Sequence, residues 1–147
     1  MKLPKKIREQ FQRYGQKGGR ARAARISSNA KKRIASQGAT TRWIRSRFGA
    51  SRFAELGLPG GDLVDVGLAD LASGRASVES LLVSLAAPRL RREGVPVGAV
   101  ENDPEERLYQ LLTQTEGDLA HSRYGAYLRR MVSFANACHL ARISKGA

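Results

Sequence analysis

The first 52 residues of the chain carry sixteen Lys and Arg against one acid, Glu9, whereas residues 53–147 carry ten bases against twelve acids. Like charge at that density opposes collapse through self-repulsion. Apolar material in the same stretch is sparse: Leu3, Ile7, Phe11, Tyr14, Ile26, Ile34, Trp43, Ile44 and Phe48 are its sizeable apolar groups. They are too few for an independent core of any depth. The core must therefore come mostly from the remainder, and a polyanionic partner must be argued from the first third, where nearly all of the net charge of +13 resides. The division reads as a basic nucleic-acid-binding arm, residues 1–50, followed by a partner-binding body, residues 51–147.

Periodicity makes both parts helical. Ile7, Phe11 and Tyr14 recur at four and three positions, which predicts a short amphipathic helix from Pro4 that ends at Gly15. The next eleven residues, Gly15 to Arg25, hold three glycines and four bases, and their backbone is expected to be flexible until a polyanion fixes it. Ser27 or Ser28 caps a second helix that runs from Asn29 to about Arg47, basic around a thin stripe of Ala30, Ile34, Thr41, Ile44 and Phe48. So thin a stripe needs a partner helix, a second copy of the chain or nucleic acid to hold it, and a homodimer is one of those solutions.

In the body, Asp62 is expected to cap a helix to Ser73 with Leu63, Val66, Gly67 and Leu71 inward, stopped by Gly74. Ser77 caps the next, whose stripe of Val78, Leu81, Leu82, Leu85 and Ala86 meets an interruption at Pro88. Asp103-Pro104 opens a third, with Glu106 placed to complete a capping box and Leu108, Leu111 and Leu112 buried. After a turn at Gly117 and Asp118, a last long helix places Tyr124, Leu128, Met131, Ala135 and Cys138 on one face. No alternating strand pattern competes. The fold class is all-α: a basic helical arm and a small helical bundle, four to six helices in total.

The single cysteine, Cys138, forms no internal disulfide and reads as a buried thiol. No Cys/His cluster suggests a metal and no motif asks for a cofactor. No run of about 18 apolar residues suggests a membrane span, and a cytoplasmic location is expected. Gly15 to Gly19 lacks the ending of a P-loop. Asp118 lies one helical turn before His121, and Tyr124 is near, yet capping or surface roles account for such residues more often than acid–base chemistry. The chain is read as a binding protein and not as an enzyme.

Lys17, Arg20, Arg22, Arg25, Lys31, Lys32, Arg33, Arg42 and Arg45 are the candidates for nucleic-acid contact, because guanidinium and ammonium groups displace counterions from a phosphate backbone. Gly19-Arg20-Ala21-Arg22 partly resembles an AT-hook without its stiffening proline. Phe11, Tyr14 and Trp43 offer stacking platforms for unpaired bases, although aromatic residues at helical spacing are more often core anchors, which favours duplex DNA over RNA. For the body, Leu81, Leu85, Leu90, Tyr124 and Tyr127 are the candidate partner-binding surface. The acids between Glu55 and Glu106 would complement the basic cleft of an enzyme that handles RNA or nucleotides.

Three stretches carry a family resemblance: Leu81 to Val97, Gly117 to Tyr124, and Met131 to Cys138, together with the Lys17 to Ala23 segment and the basic helix ending in Arg42-Trp43. They resemble bacterial antitoxins encoded beside nucleotidyltransferase-type (AbiEii-like) toxins. The resemblance implies an antitoxin of a type II toxin–antitoxin system that neutralises a cognate toxin enzyme by direct binding and represses its own operon by binding operator DNA. The alternative is a stand-alone nucleic-acid-binding or transcriptional regulatory protein whose body only dimerises.

Overall fold

A computed structural model describes residues 4–146; Leu3 lies outside them. The described residues form six α-helices and no strand: α1 (Lys5–Arg25), α2 (Ser28–Phe48), α3 (Gly61–Ser73), α4 (Val78–Arg92), α5 (Pro104–Glu116) and α6 (Ala120–Gly146), with 3₁₀ turns at Ala54–Leu56 and Gly117–Leu119. The all-α class holds, with the helix count inside the expected range. The chain separates into two compact units, Met1–Lys32 and Arg33–Ala147.

In the first unit, α1 does not stop at Gly15 but continues ten residues further. Gly15, Gly18 and Gly19 lower helix propensity without forbidding the helix, and the break comes at Ile26, whose backbone is extended. The Ser27 hydroxyl then accepts from the Ala30 amide at 3.2 Å and caps α2. The narrow extended strand that an AT-hook requires is therefore absent at Gly19 to Arg22, which lie inside α1.

In the second unit the core is a bundle of α3 to α6, capped by the end of α2. α3 and α4 approach closely because Gly67 has no side chain: a Cβ there would meet the Glu79 carbonyl oxygen at 2.4 Å and Val83 Cγ2 at 2.5 Å. Their connection is tied by Asp70, 4 % exposed, which accepts from Arg75 Nη2 at 2.6 Å and from the Ser77 hydroxyl at 2.6 Å. Ser77 also exchanges hydrogen bonds with Ser80 in a capping box. Trp43, Phe48 and Phe53 form an edge-to-face cluster, and Ile44 beside them is 1 % exposed. This packing explains why the compact unit begins at Arg33, inside α2, and not at the charge boundary near Ser51: the last turns of the basic helix are held by the body.

Four local expectations are corrected. Asp62 does not cap α3; Gly60, in a left-handed conformation with φ 74°, occupies that position, and Asp62 instead receives Arg130 Nη2 at 2.7 and 2.9 Å. Val66 is 43 % exposed and not inward, since α3 turns Leu63, Val64 and Leu68 to the core. Asp103 sits before α5 with φ 46° and makes no side-chain cap, so the capping box with Glu106 does not form; Glu106 accepts from Gln110 at 3.1 Å. Pro88 leaves α4 unbroken. It lies on the exposed side of the helix.

Candidate functional site

Helix α1 carries eight bases and one acid, and none of its residues is buried. At 100° per residue, Lys6, Arg13, Lys17 and Arg20 fall within an arc of about 60°, a stripe about 21 Å long. Ile7, Phe11 and Tyr14 lie on another side, 39 %, 65 % and 74 % exposed. Arg22 and Arg25 fall on that apolar side, so the winding separates them from Lys17 and Arg20 by about 80° or more. Lys6 and Arg13 were missed by sequence reasoning, because a helix ending at Gly15 hides the register that aligns them with Lys17 and Arg20.

The remaining candidates divide at the unit boundary. Lys31 and Lys32 are exposed at the start of α2. Arg33, Arg42 and Arg45, in the other unit, are exposed as well, and Arg45 Nη2 donates to Ser51 Oγ at 3.0 Å. Trp43 is not a stacking platform: its ring packs on Phe48 and Phe53 at centroid distances of 5.7 and 6.1 Å. Phe11 and Tyr14 are open to solvent.

Among the partner-surface candidates, Leu81 and Leu90 are corrected. They are 2 % and 0 % exposed and belong to the core, because the inward face of α4 is Leu81, Leu82, Ala87 and Leu90. Leu85, Tyr124 and Tyr127 are half-buried. The Tyr124 hydroxyl donates to Glu105 at 3.1 Å and its ring meets Tyr109 edge to face at 5.8 Å. Burial, followed by the Glu105 bond, raises the Tyr124 hydroxyl above its ordinary range. Asp118 and His121 are both exposed. Cys138 is 2 % exposed, and burial, reinforced by the Glu93 carboxylate, pushes its thiol up to about 12.

Two adjoining surface hollows of the body lie between α4 and α6. An apolar trough of about 240 Å³ is lined by Leu82, Leu85, Ala86, Arg89, Leu128, Met131, Val132 and Ala135. A polar cleft of about 540 Å³ shares Arg89 and is lined further by Arg92, Glu93, Asn136, His139 and Arg142. Arg89 Nη2 donates to Asn136 Oδ1 at 2.5 Å, and Glu93 pairs with His139 Nδ1 at 3.2 Å and Arg142 Nε at 3.3 Å. Only the Leu85 position was anticipated; the cleft joins residues 46 and 47 positions apart, a pairing that no local spacing encodes. A second hollow, about 270 Å³, is lined by Gln37, Thr40 and Thr41 of α2 and by Asp65 and Ala69 of α3. Burial raises the Asp65 carboxyl, opposed by the Ala54 and Phe53 amides that donate to it at 2.9 and 3.0 Å.

Comparison of the chain with protein families, with curated proteins and with solved structures finds no match. No described helix is long and apolar enough to cross a membrane.

Proposed function

We propose that the protein is an antitoxin-like binding protein: its basic N-terminal segment binds duplex operator DNA through phosphates, and its helical body binds and neutralises a nucleotidyltransferase-like toxin. The observation that carries the DNA half is α1 itself, a helix with eight bases, one acid and no buried residue. An amphipathic helix of that kind gains no stability from a core, and its charge is complemented by a polyanion. A helix is about 10–12 Å across with its side chains, which matches a major groove about 12 Å wide, and bases on two of its sides would meet phosphates of both strands.

The toxin half rests on the family resemblance and on the body's character, near-neutral with a partly apolar groove and half-buried Leu85 and Tyr127 on its surface.

Two measurements test the reading. Binding of full-length protein to its promoter duplex is followed by fluorescence anisotropy across salt; engagement of six phosphates gives a slope of about −5 in log affinity against log salt. A salt-independent affinity sinks the DNA assignment. Co-expression with the enzyme encoded by the neighbouring gene should restore growth and yield a co-purifying complex. DNA binding without any such rescue would favour the regulator that only dimerises.

A further inference from the structure

We propose that the outer groove between α4 and α6 is a docking site for an acidic amphipathic helix of a partner protein, resting on the reading that the body binds a protein partner. The two helices run in the same direction here, since Arg89 meets Asn136 and Glu93 meets His139 and Arg142. Their outer faces therefore form one continuous trough. It is apolar where Leu85 and Ala86 face Leu128 and Val132, and cationic where Arg92 and Arg142 flank Glu93. Arg89 lines both halves and joins them. From Leu82 to Arg92 the groove spans about 15 Å, which suits two to three turns of a helix and exceeds a compact metabolite. Ile143, 55 % exposed, continues the face of Val132, Asn136 and His139 by one more turn.

Charge selects the occupant. Residues 53–147 hold more acids than bases, yet three of their ten bases converge on this cleft around one acid. That acid is committed: the Glu93 side chain is 12 % exposed and already bonded to His139 and Arg142. Arg92 is exposed and has no ion-pair or hydrogen-bond partner among the described residues. Arg89 spends one nitrogen on Asn136 and retains further donors. A partner helix with leucine-like anchors at i, i+3, i+4 and i+7 and carboxylates in its last turn satisfies both halves. A basic partner helix would be repelled at the cleft, and a wholly polar one would leave Leu85 and Val132 uncovered.

The test uses full-length protein and a designed helical peptide of about fourteen residues, about 21 Å, carrying leucines at those spacings and glutamates in its last turn. Two control peptides replace the leucines by alanine or the glutamates by lysine. Anisotropy titration should show the Leu/Glu peptide binding at least about tenfold more tightly than either control, and Arg92→Glu and Val132→Asp should each weaken it about tenfold. Circular dichroism checks that both variants remain folded. Equal binding of the alanine peptide would assign the signal to the N-terminal bases and overturn the proposal, as would indifference to both substitutions. So would a homodimer in sedimentation that Val132→Asp dissociates, because the groove would then belong to a second copy. Rescue by the toxin co-expression assay together with failure of the peptide would place the partner's docking surface elsewhere while leaving the antitoxin reading standing.

Discussion

The rings of Phe53 and Phe134 meet edge to face at a centroid distance of 4.9 Å and an interplanar angle of 85°, both fully buried. Phe53 stands just after the point where the chain's charge changes sign, and Phe134 is near the middle of α6, so this one contact ties the basic segment's end to the bundle. Phe53 in turn touches Trp43 and Phe48. Replacing the fully buried Phe134 by Ala leaves a cavity in the core and should cost about 3–5 kcal/mol, read as a lowered urea midpoint. Loss of under about 1 kcal/mol would mean that the bundle collapses around the gap.

A second core prediction follows from the closest helix crossing. The absent side chain of Gly67 lets α3 lie against α4, with the Glu79 carbonyl where a methyl group would go. Gly67→Ala improves helix propensity, yet the clash is with backbone that cannot rotate away, so overpacking dominates. The variant should be destabilised by about 1–3 kcal/mol, against a gain of about 1 kcal/mol from propensity alone. A thermal midpoint above that of the parent would contradict the contact.

Periodic features were legible and tertiary ones were not. The Ser77 cap and the Gly74 stop follow from capping chemistry, the buried Leu108 and Leu112 and the Met131, Ala135, Cys138 face from helical spacing, and all are present. Phe53 escaped because it lies in a turn outside any apolar repeat, and Phe134 because it falls between two members of the assumed stripe. Leu81 and Leu90 were assigned to a partner surface because a stripe shows which residues are apolar without showing how wide a face the neighbours cover. In α4 the wide face is taken by α3, α5 and α6 together, which leaves Val78, Leu85 and Ala86 partly open. The α4–α6 groove depends on residues far apart in sequence, and the long α1 register was hidden by its glycines.

Cys138 should behave as an inert thiol in the native protein. With the group pushed up to about 12, roughly one molecule in ten thousand carries a thiolate at pH 8. Iodoacetamide should leave it unmodified in native buffer and alkylate it fully in denaturant, with mass spectrometry as the readout. The sign for stability follows from the raised value: the protonated thiol belongs to the folded state, so its contribution is complete below the unfolded value near 8.5 and is lost as pH rises toward 12. The stability difference between the parent and Cys138→Ala should therefore shrink across that alkaline range. Rapid alkylation of the native chain would show that the site opens.

The glycines of α1 allow a test of whether its helical register matters for DNA. Gly15, Gly18 and Gly19 are helical, and a methyl group added at each meets nothing within 4 Å. With no buried residue in α1, propensity alone sets the outcome, and each change to alanine should favour the helix by about 1 kcal/mol. The three glycines lie on the far side of the helix from Lys6, Arg13, Lys17 and Arg20, so the added methyls do not stand between those bases and phosphate. The triple variant should show greater ellipticity at 222 nm in the absence of DNA and bind a duplex several-fold more tightly, because less ordering entropy is lost on association. Its salt slope should be unchanged, since no charge has been removed. Arg13→Gln with Arg20→Gln in the same background should then reduce the slope by about 1.8, at roughly 0.9 per phosphate lost. Greater helicity combined with weaker binding would show that the glycines, and not the basic stripe, face the phosphates.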